Sequence, residues 1–251
     1  MMRLHLDEYS HLDSPLHTWE TRSKLIGFLV LIFAFSFVQD LHLLPAMLIV
    51  TAAIYAVSRL PAAFLLARLR LPGFFLLMMA ILLPLLSGQT VLFRIGPVVV
   101  REEGCLDLLL IVVKFVCILT TGLVLFGTTP FVTTVKAMRS LGLPAILADM
   151  TLFSYRYIHE IGGDLEMMER AMRLRGFRGR SFRGLTALAS LAGSLLVRSY
   201  ERSDLVYKAM VLRGYGQLTQ SLDDFRVRAA DIAGLFAILL VAAGFVIAEI
   251  L

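Results

Sequence analysis

The sequence predicts an all-α integral membrane protein with about five transmembrane helices, in a range of four to six, and long amphipathic helices on the cytoplasmic side. Of its 251 residues, 58% are hydrophobic, and the mean hydropathy is +0.80. Soluble domains are roughly 45–50% apolar. Apolar runs of membrane length also stand apart from one long region in which apolar residues alternate with charges at helical spacing. These observations place the chain in a bilayer.

Five apolar runs are the predicted spans. The first two, 25–38 and 43–57, are short against the roughly 20 residues needed to cross, and we interpret them as a pair that turns at Gln39-Asp40. Longer runs follow at 73–90, 106–126 and 229–251. The predicted organisation is an amino-terminal segment, four spans, an amphipathic helical region and a last span, at 1–24, 25–126, 127–228 and 229–251.

The distribution of Lys and Arg predicts the orientation. The loops predicted to lie outside hold only Arg94 and Arg101, whereas the region 127–228 holds fifteen basic residues. Because basic residues favour the cytoplasmic side, we expect a multi-pass protein of the cell inner (plasma) membrane with a cytoplasmic amino terminus and cytoplasmic amphipathic helices. The net charge of +5 then reflects topology, partner surface and membrane lipid. No nucleic acid is expected, because aromatic residues are not interleaved with the basic run.

One short motif occurs twice. RAMRLRGF begins at Arg170 and KAMVLRGY begins 38 positions later, at Lys208. In each copy a small residue lies one helical turn before an Arg-Gly pair, and a Gly directly after the Arg suits the left-handed position that ends a helix. The pattern predicts two helix ends, each projecting a guanidinium, with the candidate residues Ala171, Arg175, Gly176, Ala209, Arg213 and Gly214. The alternative is an ordinary helix cap on a solvated surface.

Several further motifs accompany this repeat. They are ERS at 201–203, Thr-Pro at 129–130, Leu-Gly-Leu-Pro at 141–144 and SPLHTWETRSKL at 14–25. Together with the repeat, they resemble the T component of energy-coupling factor transporters, in particular its cobalt-transport type, CbiQ. The similarity runs over essentially the whole chain. The repeated motif is specific, whereas the apolar helices alone are not.

The resemblance implies a non-catalytic transmembrane subunit of an ATP-driven importer. In the family this subunit joins two cytoplasmic ABC ATPases, similar to CbiO, to a small substrate-binding membrane subunit, similar to CbiM. Its Arg motifs insert into grooves on the ATPases. Carried over to this sequence, Ala171, Arg175 and Gly176 would serve one ATPase, and Ala209, Arg213 and Gly214 the other. The partner ATPases would use ATP-Mg, and this chain would bind no cofactor or metal of its own.

The motifs of self-contained enzymes are absent from the sequence. It contains no G-x-x-x-x-G-K-[ST] phosphate loop and no H-E-x-x-H, C-x-x-C or G-x-S-x-G pattern. His5, His11 and His17 are spaced by six and do not share one helix face, so we interpret them as exposed polar residues. Lys114 lies within a predicted span and is expected to pair with a carboxylate such as Asp107 or Glu249.

Other functions stay open at this point. A nickel importer has a very similar T component, and nothing in the spans identifies the ion. A stand-alone secondary transporter would need polar residues lining its spans, which apart from Lys114 are poor in them. A basic membrane scaffold that binds lipid or a signalling partner would distribute its function over many arginines.

Overall fold

The computed structural model describes residues 14–86, 91–95, 98–177, 182–216 and 228–250. The prediction of a helical protein is confirmed. One short antiparallel pair of strands, β1 (Val91–Ile95) and β2 (Val98–Arg101), lies where an outer loop was predicted. The β-branched run Val98-Val99-Val100 favours that extended backbone. The helices are α1 (Pro15–Thr18), α2 (Thr21–Phe37), α3 (Leu44–Ser58), α4 (Ala62–Leu86), α5 (Glu102–Gly127), α6 (Phe131–Ser140), α7 (Ala145–Leu174), α8 (Phe182–Leu212) and α9 (Ala229–Ile250).

The described residues fall into two compact units. One unit, here called the membrane unit, contains α1 to α6, the two strands and α9. The other, here called the α7–α8 unit, contains the two longest helices, with 30 and 31 residues. Membrane-length apolar helices belong to the first unit, and the repeated Arg-Gly motif belongs to the second.

Among the described residues, three helical stretches are long and apolar enough to cross a membrane: Leu41–Ser58, Gly104–Gly127 and Ala229–Ile250. A fourth crossing is formed if the bent pair Ala62–Arg70 and Pro72–Ala80 is one span. The bend of 61° in that pair falls directly before Pro72. Proline has no N–H to donate, and its ring clashes with the carbonyl four residues earlier, so a helix bends at this point.

The first predicted span corresponds to α2, which has 17 residues and is about 26 Å long at 1.5 Å per residue. Two carboxylates tie it to α9 at both ends. The backbone N–H of Glu20 donates to Asp231 (3.2 Å), and the N–H of Gln39 donates to Glu249 (2.9 Å). Helix α2 therefore runs parallel to α9 over nearly the whole length of α9, and it covers the same height as that longer apolar helix.

The core of the membrane unit lies where α2, α3, α5 and α9 meet. Phe35 and Cys117 are fully buried there, and the ring of Phe35 meets that of Phe245 edge-on at 5.3 Å. Other large apolar side chains of the same helices point outward, among them Phe33 and Leu240, which are 72% and 75% exposed. Apolar side chains on both the inner and outer faces are typical of helices surrounded by lipid.

Asp231 joins the beginnings of α2 and α9. One oxygen of its buried carboxylate accepts the N–H of Arg228 (2.9 Å), and the other accepts the N–H of Glu20. The indole Nε1 of Trp19 donates to the Asp231 carbonyl (3.1 Å). The Trp19 ring lies so close to Gly234 that a Cβ there would come within 3.1 Å of it. This close contact explains why residue 234 is a glycine, which has no Cβ.

Glu249 closes the other end of the α2–α9 pair. Its carboxylate accepts the backbone N–H groups of Gln39 (2.9 Å) and Asp40 (3.3 Å). Glu249 is one of the carboxylates predicted to pair with Lys114. In the structure the hydrogen bonds of this carboxylate go to the turn between α2 and α3.

Candidate functional site

The α7–α8 unit is an antiparallel helix pair held at mid-length by charged side chains. Arg202 of α8 contacts Glu160 (3.2 Å) and Asp164 (3.3 Å) of α7, and Arg198 also contacts Asp164 (3.7 Å). The Asp164 side chain is only 13% exposed, so these contacts are more than surface ion pairs. Because the helices run in opposite directions, the carboxyl end of α7 and that of α8 lie at opposite ends of the unit.

The first Arg-Gly motif ends α7 in a Schellman cap. Gly176 adopts a left-handed φ of +85°, and its N–H donates to the carbonyl of Arg173 (3.1 Å). The next N–H, of Phe177, donates to the carbonyl of Met172 (3.1 Å). These two bonds are the ones that define this cap, and they satisfy carbonyls that the end of a helix leaves without partners. The predicted helix end at Arg175-Gly176 is confirmed.

The second motif ends α8 with the same bonds. Gly214 has a φ of +83°, and its N–H donates to Val211 (2.9 Å), while the N–H of Tyr215 donates to Met210 (3.0 Å). The hydroxyl of Tyr215 also donates to the carboxylate of Asp149 in the second turn of α7 (2.8 Å). The second motif is therefore fixed to the beginning of α7.

The Arg side chains of the two motifs differ from their neighbours. Arg170 and Arg173 each pair with a glutamate one turn earlier on α7. Arg175 and Arg213 are exposed, and within the described residues neither has an ion-pair partner. An exposed guanidinium at a helix end can form bidentate contacts with a carboxylate.

A leucine precedes each of these arginines and is almost fully solvent-exposed. Leu174 is 90% exposed and Leu212 is 88% exposed, the two highest values among the exposed large apolar side chains of the described residues. Sequence reasoning missed both. The repeat contained the signal, because a leucine stands directly before Arg-Gly in each copy. At each helix end an exposed apolar side chain thus lies next in sequence to an exposed guanidinium.

The small residues of the motifs lie on exposed helix faces. Ala171 and Arg175 line an open groove of about 460 Å³ between α7 and α8, opposite Ala187 and Ser190. Ala209 is exposed on α8. The structure thus brings together Ala171, Arg175 and Gly176 at one end of the unit and Ala209, Arg213 and Gly214 at the other. The two sets are separated by the length of α8, about 46 Å.

The histidines have no metal site within the part of the chain that the structure describes. His17 lies in α1, and its Nδ1 is 2.6 Å from the hydroxyl of Ser14. His5 and His11 lie outside the described residues. No group of three or more His, Cys, Asp or Glu side chains that could hold a metal ion is found among residues 14–86, 91–95, 98–177, 182–216 and 228–250.

Comparison with known proteins places these features in a family. Residues 13–222 match the family model CbiQ, described as cobalt transport protein. Several relatives carry the name energy-coupling factor transporter transmembrane protein EcfT. The one from Heliobacterium modesticaldum is 28% identical over 84% of this chain and 83% of its own length. The one from Lactococcus lactis subsp. cremoris is 26% identical over 86% and 85%. The one from Leuconostoc gelidum subsp. gasicomitatum is 28% identical, and the match spans 59% of this chain and 60% of that protein.

Proposed function

Because the chain belongs to the CbiQ/EcfT family of transmembrane components of energy-coupling factor transporters, we propose that it couples two cytoplasmic ABC ATPases to uptake of a transition-metal ion, cobalt. As a multi-pass membrane protein it would lie in the inner (plasma) membrane, with its amino terminus and the α7–α8 unit in the cytoplasm. A separate membrane subunit, similar to CbiM, would bind the metal. ATPases similar to CbiO would bind and hydrolyse ATP-Mg.

The observation that carries this proposal is the pair of capped helix ends. At each end an exposed leucine and an exposed arginine project from a last turn that a Schellman cap closes. A leucine buried in an apolar pocket contributes about 1.5–3 kcal/mol, and a guanidinium bound to a carboxylate contributes about as much. Two such ends on one rigid unit fit two copies of one partner or two similar partners.

The mechanism follows from the stiffness of α7 and α8. ATP binding would bring the two ATPases together and displace the grooves that hold Arg175 and Arg213. The ion pairs of Asp164 with Arg198 and Arg202 would hold α7 against α8. The movements of the two ATPases would therefore both act on the same helix pair. Packed helices transmit such movement because their interfaces resist continuous deformation. Cobalt is proposed from the description of the family model, and nickel is the alternative that the experiment includes.

The test uses the full complex in proteoliposomes. Arg175→Ala with Arg213→Ala should lose ATPases during purification and lose ATP-driven cobalt uptake. The matched control is Arg170→Ala with Arg173→Ala, which removes two exposed arginines of α7 that are already paired on their own helix. We expect the control to keep both properties.

Three results would contradict the proposal. Normal assembly and uptake by the Arg175/Arg213 double variant would show that the motifs do not couple the chain to the ATPases. Uptake by the purified chain alone, driven by an ion gradient, would favour a secondary transporter. Uptake of nickel in preference to cobalt by the wild-type complex would correct the substrate and leave the coupling role in place.

A further inference from the structure

Lys24 is a buried amine on which three separate parts of the chain converge. It lies in the first turn of α2 and is 1% exposed. Its Nζ donates to the hydroxyl of Thr129 (2.8 Å), to the carbonyl of Leu16 in α1 (2.9 Å) and to the carbonyl of Thr128 (3.3 Å). All of these residues belong to the membrane unit.

The three acceptors match the three N–H donors of an ammonium group, and all of them are neutral oxygens. An ammonium group removed from water and held only by neutral oxygens destabilises the fold. An apolar side chain of similar length would fill the same space without this penalty. What the amine supplies, and an apolar side chain cannot, is directional bonding to three fixed oxygens.

Two of those oxygens belong to the corner between α5 and α6. Thr128 and Thr129 form this corner, and the hydroxyl of Thr128 donates back to the carbonyl of Val124 in α5 (2.7 Å). Helix α6 begins directly afterwards, and the carbonyl of Pro130 accepts the N–H of Thr134 in its first turn (3.0 Å). Regular helical hydrogen bonding therefore stops at Thr128 and resumes in α6. The angle between α5 and α6 depends on contacts with other parts of the chain.

We propose that Lys24 is the positioning residue that sets the direction in which α6 leaves α5, by holding the corner to α1 and α2. Helix α6 packs against α2 and buries Thr134, Val135 and Ala137. From α6 the chain enters α7 after four residues. The consequence for transport rests on the proposed function. The geometry of the corner does not depend on it.

The experiment measures the corner directly in the full chain in lipid nanodiscs. Spin labels are placed on exposed positions of α3 and α6, by Val57→Cys and Met138→Cys in a background without the native cysteines, and their distance distribution is recorded by pulsed electron paramagnetic resonance. The wild-type corner should give one narrow distribution of distances. Lys24→Met keeps the length of the side chain and removes its donors. We expect the fraction of molecules with distances outside the main peak to rise about tenfold.

Substitutions at Thr129 keep the test decisive if Lys24→Met does not fold. Thr129→Val replaces the hydroxyl with a methyl group and should also broaden the distance distribution. Thr129→Ser retains the hydroxyl and should give a distribution as narrow as that of the wild type. Lys136→Met is the matched control, because this lysine of α6 is exposed. A distribution as narrow as wild type in Thr129→Val, or in a folded Lys24→Met, would overturn the assignment.

Transport assays separate this inference from the proposed function. In the complete complex we expect Lys24→Met to retain both ATPases during purification and to lose most ATP-driven uptake, because the Arg motifs are intact while the corner is loosened. Wild-type uptake by Lys24→Met would overturn the consequence for transport, whereas the spin-label distances decide whether Lys24 positions the corner. If the Arg175/Arg213 double variant still transports, the proposed function fails, and the spin-label result for Lys24 stands unchanged.

Discussion

Replacement of Asp231 is the perturbation whose effect the structure defines in most detail. Its carboxylate accepts the N–H of Arg228, the residue that caps α9, and the N–H of Glu20, the residue that caps α2. One side chain thus serves two helix beginnings. At both, the positive end of the helix dipole favours a negative charge. Asp231→Ala removes both acceptors and the charge, and Asp231→Asn keeps one oxygen and turns an amide N–H₂ toward the other donor.

The expected magnitudes follow from those contacts. A hydrogen bond to a charged group contributes about 1.5–3 kcal/mol. Both donors lie in part-buried surroundings, where water replaces some of the lost bonding, so the lower figure applies to each. We expect Asp231→Ala to lower the free energy of unfolding by about 3 kcal/mol and Asp231→Asn by about half as much. For a chain of this length, 3 kcal/mol lowers Tm by about 6–12 °C.

The assay is thermal unfolding of the purified chain in detergent, followed by circular dichroism. Asp204→Asn is the matched control, since it makes the same chemical change at an exposed aspartate whose partner, Lys208, lies one turn away on the same helix. A surface pair of this kind contributes about 0.5 kcal/mol or less. Equal Tm values for Asp231→Ala and Asp204→Asn would refute the argument that one carboxylate caps two helices.

Two further predictions concern the end of α8 and the crossing of α7 and α8. Gly214→Ala should destabilise the end of α8 by about 1 kcal/mol, because a φ of +83° strains any residue with a Cβ. Gly193→Ala, in the interior of the same helix, is the control and should not destabilise it. Equal rates of amide hydrogen exchange at the end of α8 in the two variants would contradict this prediction. Asp164→Asn should increase amide hydrogen exchange at mid-length of α7 and α8 roughly tenfold. Unchanged exchange would show that the ion pairs of Asp164 do not hold the two helices together.

Features governed by local chemistry were predictable from the sequence. The Schellman caps at Gly176 and Gly214 involve bonds that reach back no more than five residues, so an Arg-Gly pair after a helical pattern was sufficient to predict them. The apolar runs predicted α3, α5 and α9 because lipid requires continuous apolar helices. The candidate ends of α7 and α8 were predicted in the same way, and their role in binding ATPases stays a prediction.

Features that depend on distant residues were not predictable. The partners of Lys24 lie 8 and about 105 positions away, and the helix capped by Asp231 through Glu20 lies 211 positions away. Neither pairing leaves a pattern in a single sequence. The exposure of Leu174 and Leu212 was missed for a related reason, since an apolar residue in a membrane protein is expected to be covered by lipid or core.

The most direct test of the coupling role is site-specific photo-crosslinking in the intact complex. A photoreactive amino acid replaces Leu174 or Leu212, the exposed leucines beside the two motif arginines. Met167 of α7 and Leu196 of α8, which are also apolar and exposed, serve as control positions. We predict crosslinks to an ATPase subunit from both leucine positions and none from the controls. An intact complex in which neither leucine position crosslinks to an ATPase would contradict the account.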